Sequence, residues 1–103
     1  KKALKIDPED ADVHFNLAVA YYDLDDFSNA IIEFKKSLEI NPGNMAAHFN
    51  LGEIYKKMGD LENSITEFGK VIRTDKNNIK AHYGLGDAYY RKNDFENAIR
   101  EFR

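Results

Sequence analysis

Three histidines, His14, His48 and His82, recur at a constant interval of 34 residues, a spacing that repeats like a ligand set. Imidazole is the commonest metal ligand among side chains and the usual general base near neutral pH. A shared ion needs metal–nitrogen bonds of about 2 Å, whereas neighbouring helices pack about 8–10 Å apart. One ion cannot reach two such residues on neighbouring helices, so a shared metal site is not expected. The chain has no cysteine, which removes disulfides, thiolate metal sites and cysteine nucleophiles. Carboxylates are plentiful but scattered, and no Ser–His–acid or paired-acid set rises above them. Gly84-Leu85-Gly86 has the composition of a phosphate-binding turn, but it lies inside a helical pattern with no strand before it. No enzyme activity, metal or cofactor is expected.

What remains is surface chemistry. A net charge of −3 and a pI near 5.6 give no overall attraction to nucleic acid or anionic lipid. Lys and Arg are dispersed, without a basic block. No apolar run approaches the length of a membrane span. The expected partner is therefore another protein, with no nucleic acid and no membrane. The sequence begins at Lys1 with no targeting signal to read, and the missing cysteines agree with a cytoplasmic setting.

The elements that must position these side chains are repeats. Residues 11–44, 45–78 and 79–103 align without gaps; the first two segments are identical at 12 of 34 positions. Residues 1–10 read as the tail of an earlier unit. Besides the histidines, shared columns hold Leu17, Leu51, Leu85; Tyr21, Tyr55, Tyr89; Asp26, Asp60, Asp94; Asn29, Asn63, Asn97; Glu33, Glu67, Glu101; and Phe34, Phe68, Phe102. His14, Leu17, Ala18 and Tyr21 have the i, i+3, i+4, i+7 spacing of one helix face, and Phe27, Ala30, Ile31, Phe34 and Leu38 mark a second helix. Asp10, Asn44 and Asn78 stand where a side-chain oxygen caps the first helix of each unit, and Asp26, Asp60 and Asp94 cap the second. Gly59 suits a helix end, while Pro8 and Pro42 end the preceding second helices. Small residues at Ala18, Gly52 and Gly86, facing Ala30, Ser64 and Ala98, let paired helices approach closely.

These columns resemble the tetratricopeptide repeat family over the whole chain. In the first unit its signature positions are His14, Leu17, Ala18, Tyr21, Ala30, Phe34, Ser37 and Pro42. His stands where the family usually has Trp, at its inter-helix packing position, so the resemblance implies a packing role for His14, His48 and His82; Val71 stands where the family has Ala, and Lys76 where it has Pro. The resemblance implies an all-α, right-handed α-solenoid of stacked antiparallel hairpins, forming one tetratricopeptide-repeat domain over residues 1–103. It also implies a peptide-binding groove lined by the first helix of each unit. In this chain that groove comprises Phe15, Asn16, Val19 and Tyr22; Phe49, Asn50, Glu53, Lys56 and Lys57; and Lys80, Tyr83, Asp87, Tyr90 and Arg91. Asn16 and Asn50 share a column and resemble the backbone-binding asparagine ladder of related solenoids, such as those of O-linked N-acetylglucosamine transferases. Gly84 breaks that column. The carboxylate clamp of the family matches at two of five positions, Asn50 and Lys80. Charge along the groove runs from Asp12 and Asp23 to Lys56, Lys57, Lys80 and Arg91, a gradient that would orient a charged peptide. The function implied is a scaffold or adaptor module. Two other readings stay open: a regulatory arm of a larger enzyme such as a glycosyltransferase, and a self-associating array. In the last, residues 95–103 of one molecule are continued by 1–6 of the next.

Overall fold

The computed structural model describes residues 10–102. Six helices follow in chain order: α1 (Ala11–Asp23), α2 (Phe27–Ile40), α3 (Met45–Met58), α4 (Leu61–Thr74), α5 (Ile79–Arg91) and α6 (Phe95–Phe102). No strand occurs among the described residues. The all-α expectation holds, and the helices alternate in the 34-residue register. The Lys1–Asp10 tail, including the helix-ending role of Pro8, lies outside the described residues except for Asp10.

Local chemistry sets the helix ends. Asp10 accepts from the Asp12 amide at 2.9 Å, Asn44 from Ala47 at 3.2 Å, and Asn78 from Ala81 at 2.9 Å. Asp26, Asp60 and Asp94 accept from the amides of Asn29, Asn63 and Asn97 at 3.3, 3.3 and 3.4 Å. The same three asparagines donate back through Nδ2 to the second carboxylate oxygen, each at 2.8 Å. That reciprocal pair accounts for the Asp and Asn columns together, since neither residue serves the cap alone. α2 ends at Ile40, two residues before Pro42, and α4 ends at Thr74 in the same column although Lys76 replaces the proline. Ending does not depend on proline. The amides of Asn41 and Asp75 each close on a carbonyl four residues back at 2.8 Å.

Between the helices of each hairpin one residue turns left-handed: Asp25 at φ 61°, Gly59 at 84° and Asn93 at 68°. Only glycine takes this conformation without strain against Cβ. Gly59→Ala should therefore destabilise by about 1 kcal/mol, and Asp25→Gly or Asn93→Gly should stabilise by a few tenths to about 1 kcal/mol. Thermal unfolding of the three variants checks this, and matching midpoints for all of them would contradict it.

The chain divides into two compact units at the Ala47–His48 boundary. In the first, α1 and α2 pair through Ala18, Ala30 and Phe34, all fully buried. Phe15 meets Phe34 edge-on with ring centroids 5.5 Å apart, and Ser37 Oγ donates to the Ala11 carbonyl at 3.0 Å. The core of the second unit is built from Phe68, Val71, Ala81 and Leu85, with Phe49, Ile65, Ile72 and Tyr89 packed against it. The expected close approach of small residues is seen here: Ser64 Oγ donates to the Gly52 carbonyl at 2.9 Å, and a Cβ on Gly52 would lie 2.9 Å from the Phe68 ring.

Candidate functional site

The histidines are structural. Nδ1 of His14, His48 and His82 lies 2.7, 2.6 and 2.7 Å from Oε1 of Glu33, Glu67 and Glu101 respectively. Each pair joins the first helix of a hairpin to its second, and the His48 and Glu67 side chains are only 11% and 12% exposed. Both columns are visible in the sequence, but nothing there joins them. The signal that would have done so is the constant separation of 19 residues between a cationisable and an acidic column. His82 also directs Nε2 at the Lys76 carbonyl, 2.7 Å away. A carbonyl can only accept, so both ring nitrogens of His82 donate and the imidazolium form is favoured. The hydrogen bond to Glu101, then that to Lys76, raises its pKa above the usual value, against the opposing effect of burial.

The expected groove residues fall into two sets. On α1, Asn16 is exposed, whereas Phe15, Val19 and Tyr22 are half-buried. Phe15 packs on Phe34 of its own hairpin and Tyr22 on Phe27, with centroids 5.9 Å apart. The apolar stripe of α1 is thus partly spent inside its hairpin, because the partner helix places a phenylalanine beneath each ring. On α3, Phe49 is held in the same way by Phe68 at 5.5 Å. Tyr83 and Tyr90 of α5 touch Phe102 and Phe95, each at 5.5 Å, yet remain 64% and 58% exposed.

Four of the charged members, Glu53, Lys56, Asp87 and Arg91, are gathered into one cluster that the sequence did not foretell. Lys56 Nζ on α3 lies 3.1 Å from Asp87 Oδ2 on α5 and 3.9 Å from Glu53. Arg91 Nε donates to the same Asp87 oxygen at 3.2 Å. Lys56 also stands 5.8 Å over the Phe68 ring, and its side chain is 11% exposed. Burial pushes the Asp87 carboxyl up, but Lys56 and then Arg91 outweigh it and hold its pKa below the ordinary range. The expected basic pole is accordingly weaker than the residue count implies, because Lys56 and Arg91 both serve Asp87.

Gly84 explains the broken asparagine column. A Cβ there would meet Cζ of Phe68 at 2.6 Å and two further ring atoms within 2.9 Å. Gly86 meets Phe102 similarly, at 2.7 Å. Both glycines lie within α5 beneath aromatic rings, so Gly84-Leu85-Gly86 is a packing device. Among the described residues no group of three or more His, Cys, Asp or Glu side chains is placed to hold a metal ion. Nor is any described helix long and apolar enough to cross a membrane.

Repeating hairpins of this length, with His/Glu and Asp/Asn columns in one register, agree with the sequence family that matches. A model of the TPR repeat covers residues 1–25, 20–59 and 52–93. The chain belongs to the TPR (tetratricopeptide) repeat family. Among solved structures, a crystal structure of MamA is similar at 26% identity and a TM-score of 0.89, over 93% of this chain and 56% of that one. The chain thus spans about half the length of the MamA structures it matches. The Arabidopsis OM64 TPR domain matches in fold, with 20% identity and a TM-score of 0.86 over 93% of this chain and 79% of that one. So does the first TPR of Spaghetti (RPAP3) bound to the HSP90 peptide SRMEEVD, at 17% identity and 0.85, over 96% and 79%. No curated protein sequence matches.

Proposed function

We propose that this TPR chain is a protein-interaction module, and that the paired faces of α3 and α5 in the second unit take an extended peptide of a partner protein. The observation that carries the reading is the exposed pair Tyr83 and Tyr90, 64% and 58% accessible and two turns apart on α5. Large aromatic rings left in solvent at i, i+7 spacing are the usual anchors of a peptide contact. On α3, Asn50 adds an amide that can both donate to and accept from a peptide backbone of any sequence. The Lys56–Asp87 bridge ties α3 to α5, so the face is held ready before a ligand arrives, which lowers the ordering cost of binding. On this face four cations (Lys56, Lys57, Lys80, Arg91) meet two carboxylates (Glu53, Asp87), an excess that favours an acidic segment. That a TPR domain of the same fold has been solved with a peptide bound supports the general reading. On α1, Phe15, Asn16, Val19 and Tyr22 form the corresponding candidate set of the first unit.

The test is fluorescence anisotropy against labelled extended peptides matched in length and made acidic, neutral or basic. Tyr83→Ala and Asn50→Ala should each weaken the acidic peptide by about tenfold, the scale expected for losing an aromatic anchor or a backbone-pairing amide. Binding should also fall with added salt. Equal affinity for all three peptides, or variants that bind as the wild type does, would remove this face from the function.

A further inference from the structure

The loop from α4 to α5 lacks the proline that its counterpart carries. Pro42 fixes the backbone between α2 and α3 through its ring, whereas Lys76 fills the same column between α4 and α5. The two loops nevertheless share one conformation. Asn41 and Asp75, the residues before that column, stand at φ −131°, ψ 83° and at φ −126°, ψ 90°. Each loop then turns alike: the Asn44 amide donates to the Asn41 carbonyl at 3.3 Å, and the Asn78 amide to the Asp75 carbonyl at 3.2 Å. Lysine has the wider φ range of an ordinary residue, so the loop around Lys76 needs a contact to do what the ring does.

His82 supplies that contact. Its ring sits one turn inside α5 and reaches back six residues to the Lys76 carbonyl, 2.7 Å from Nε2, while Nδ1 lies 2.7 Å from Oε1 of Glu101 on α6. Both partners only accept, since neither a carbonyl nor an ionised carboxylate has a proton to give. A neutral imidazole carries one N–H and satisfies one of them; the other contact would set two lone pairs against each other. The carboxylate keeps the N–H, because a hydrogen bond to a charged acceptor is the stronger, and the Lys76 carbonyl is released. The Glu101 hydrogen bond, then the Lys76 carbonyl, and lastly the charge of Asp75 in the loop favour the cation, against burial. Lys76, Tyr83 and Arg100 line the same cavity as the ring.

We propose that the proton of His82 is a latch on the α4–α5 junction that stands in for the missing proline: the protonated ring holds the loop and the first turn of α5, and the neutral ring lets them open. The latch is a conformational switch across the neutral pH range. It is independent of the peptide reading, in which His82, Lys76 and Glu101 take no part.

The experiment is amide hydrogen exchange of the 103-residue chain from about pH 5.5 to about pH 8.5, a range that spans the titration of histidine, resolved by residue with NMR and corrected for the intrinsic rate. The amides of Asn78, Ala81 and His82, which close the loop and the first turn of α5, should lose protection by roughly tenfold as His82 gives up its proton, the scale of one lost hydrogen bond to a charged group. His82→Gln should remove that pH dependence while circular dichroism shows the helices intact. Lys76→Pro keeps the carbonyl and adds the ring, and should raise protection at the upper end of the range by roughly two- to fivefold. Protection that stays flat while the His82 resonance titrates overturns the latch, as does a pH response that survives undiminished in His82→Gln. A Lys76→Pro loop no better protected than the wild type at high pH overturns the equivalence of proton and proline.

Discussion

Phe68→Ala should lower the stability of the second unit by about 3–5 kcal/mol, the range for deleting a fully buried phenylalanine. The ring joins three helices of that unit. It lies over Gly52 and Gly84 closely enough to exclude a Cβ at either, meets Phe49 edge-on, and carries Lys56 above its face. The reciprocal change fills the space from the other side. Gly84→Asn, which would complete the asparagine column, should cost about 1–3 kcal/mol, because the new Cβ starts 2.6 Å from the ring in a helix whose backbone cannot retreat. Pairing Gly84→Ala with Phe68→Leu should cost measurably less than the sum of the two single changes, since the smaller side chain vacates the space that the methyl needs. Urea unfolding at constant slope measures all of these. Strict additivity, or a Gly84→Asn variant as stable as the wild type, would show that the ring does not set the residue type at position 84.

Glu67→Gln should destabilise by about 1.5–3 kcal/mol, because it removes the charged acceptor of a nearly buried histidine hydrogen bond. The equivalent change at Glu101 should cost less at any one pH, because the His82 side chain is 33% exposed, but it should alter the pH dependence. His82 has its pKa raised in the folded chain, first by Glu101 and then by the Lys76 carbonyl. A raised folded value means that the native state holds the proton more tightly than the unfolded chain does. Its contribution is therefore complete below the unfolded value near 6.5 and is lost as pH rises through the folded value. Stability should fall across that window in the wild type and be flatter in Glu101→Gln. The His82 imidazole resonance, followed by NMR, should titrate above the ordinary range and return toward it in the variant. A His82 titration unchanged by Glu101→Gln would refute the assignment.

These expectations bear on what the sequence could reveal. The repeat period, helix alternation, cap residues and phenylalanine columns are local or periodic, and each is readable because its cause lies within a few residues. Asp60 caps the helix that begins at Leu61, and its partner Asn63 is three residues away. Spacing alone argued the histidines away from a shared ion, and the family resemblance supplied their packing role.

The partners of those histidines did not follow, nor did the Lys56–Asp87–Arg91 cluster or the reason for Gly84. Each joins residues on different helices, 19, 31 or 16 positions apart, whose meeting depends on how those helices pack and on rotamers chosen by their neighbours. By itself the sequence determined a family of hairpins and the columns that build them. The tertiary structure alone decided which charges neutralise one another and which aromatic rings stay in solvent. A side chain's direction is set by its own helix, but its partner is set by the packing between helices.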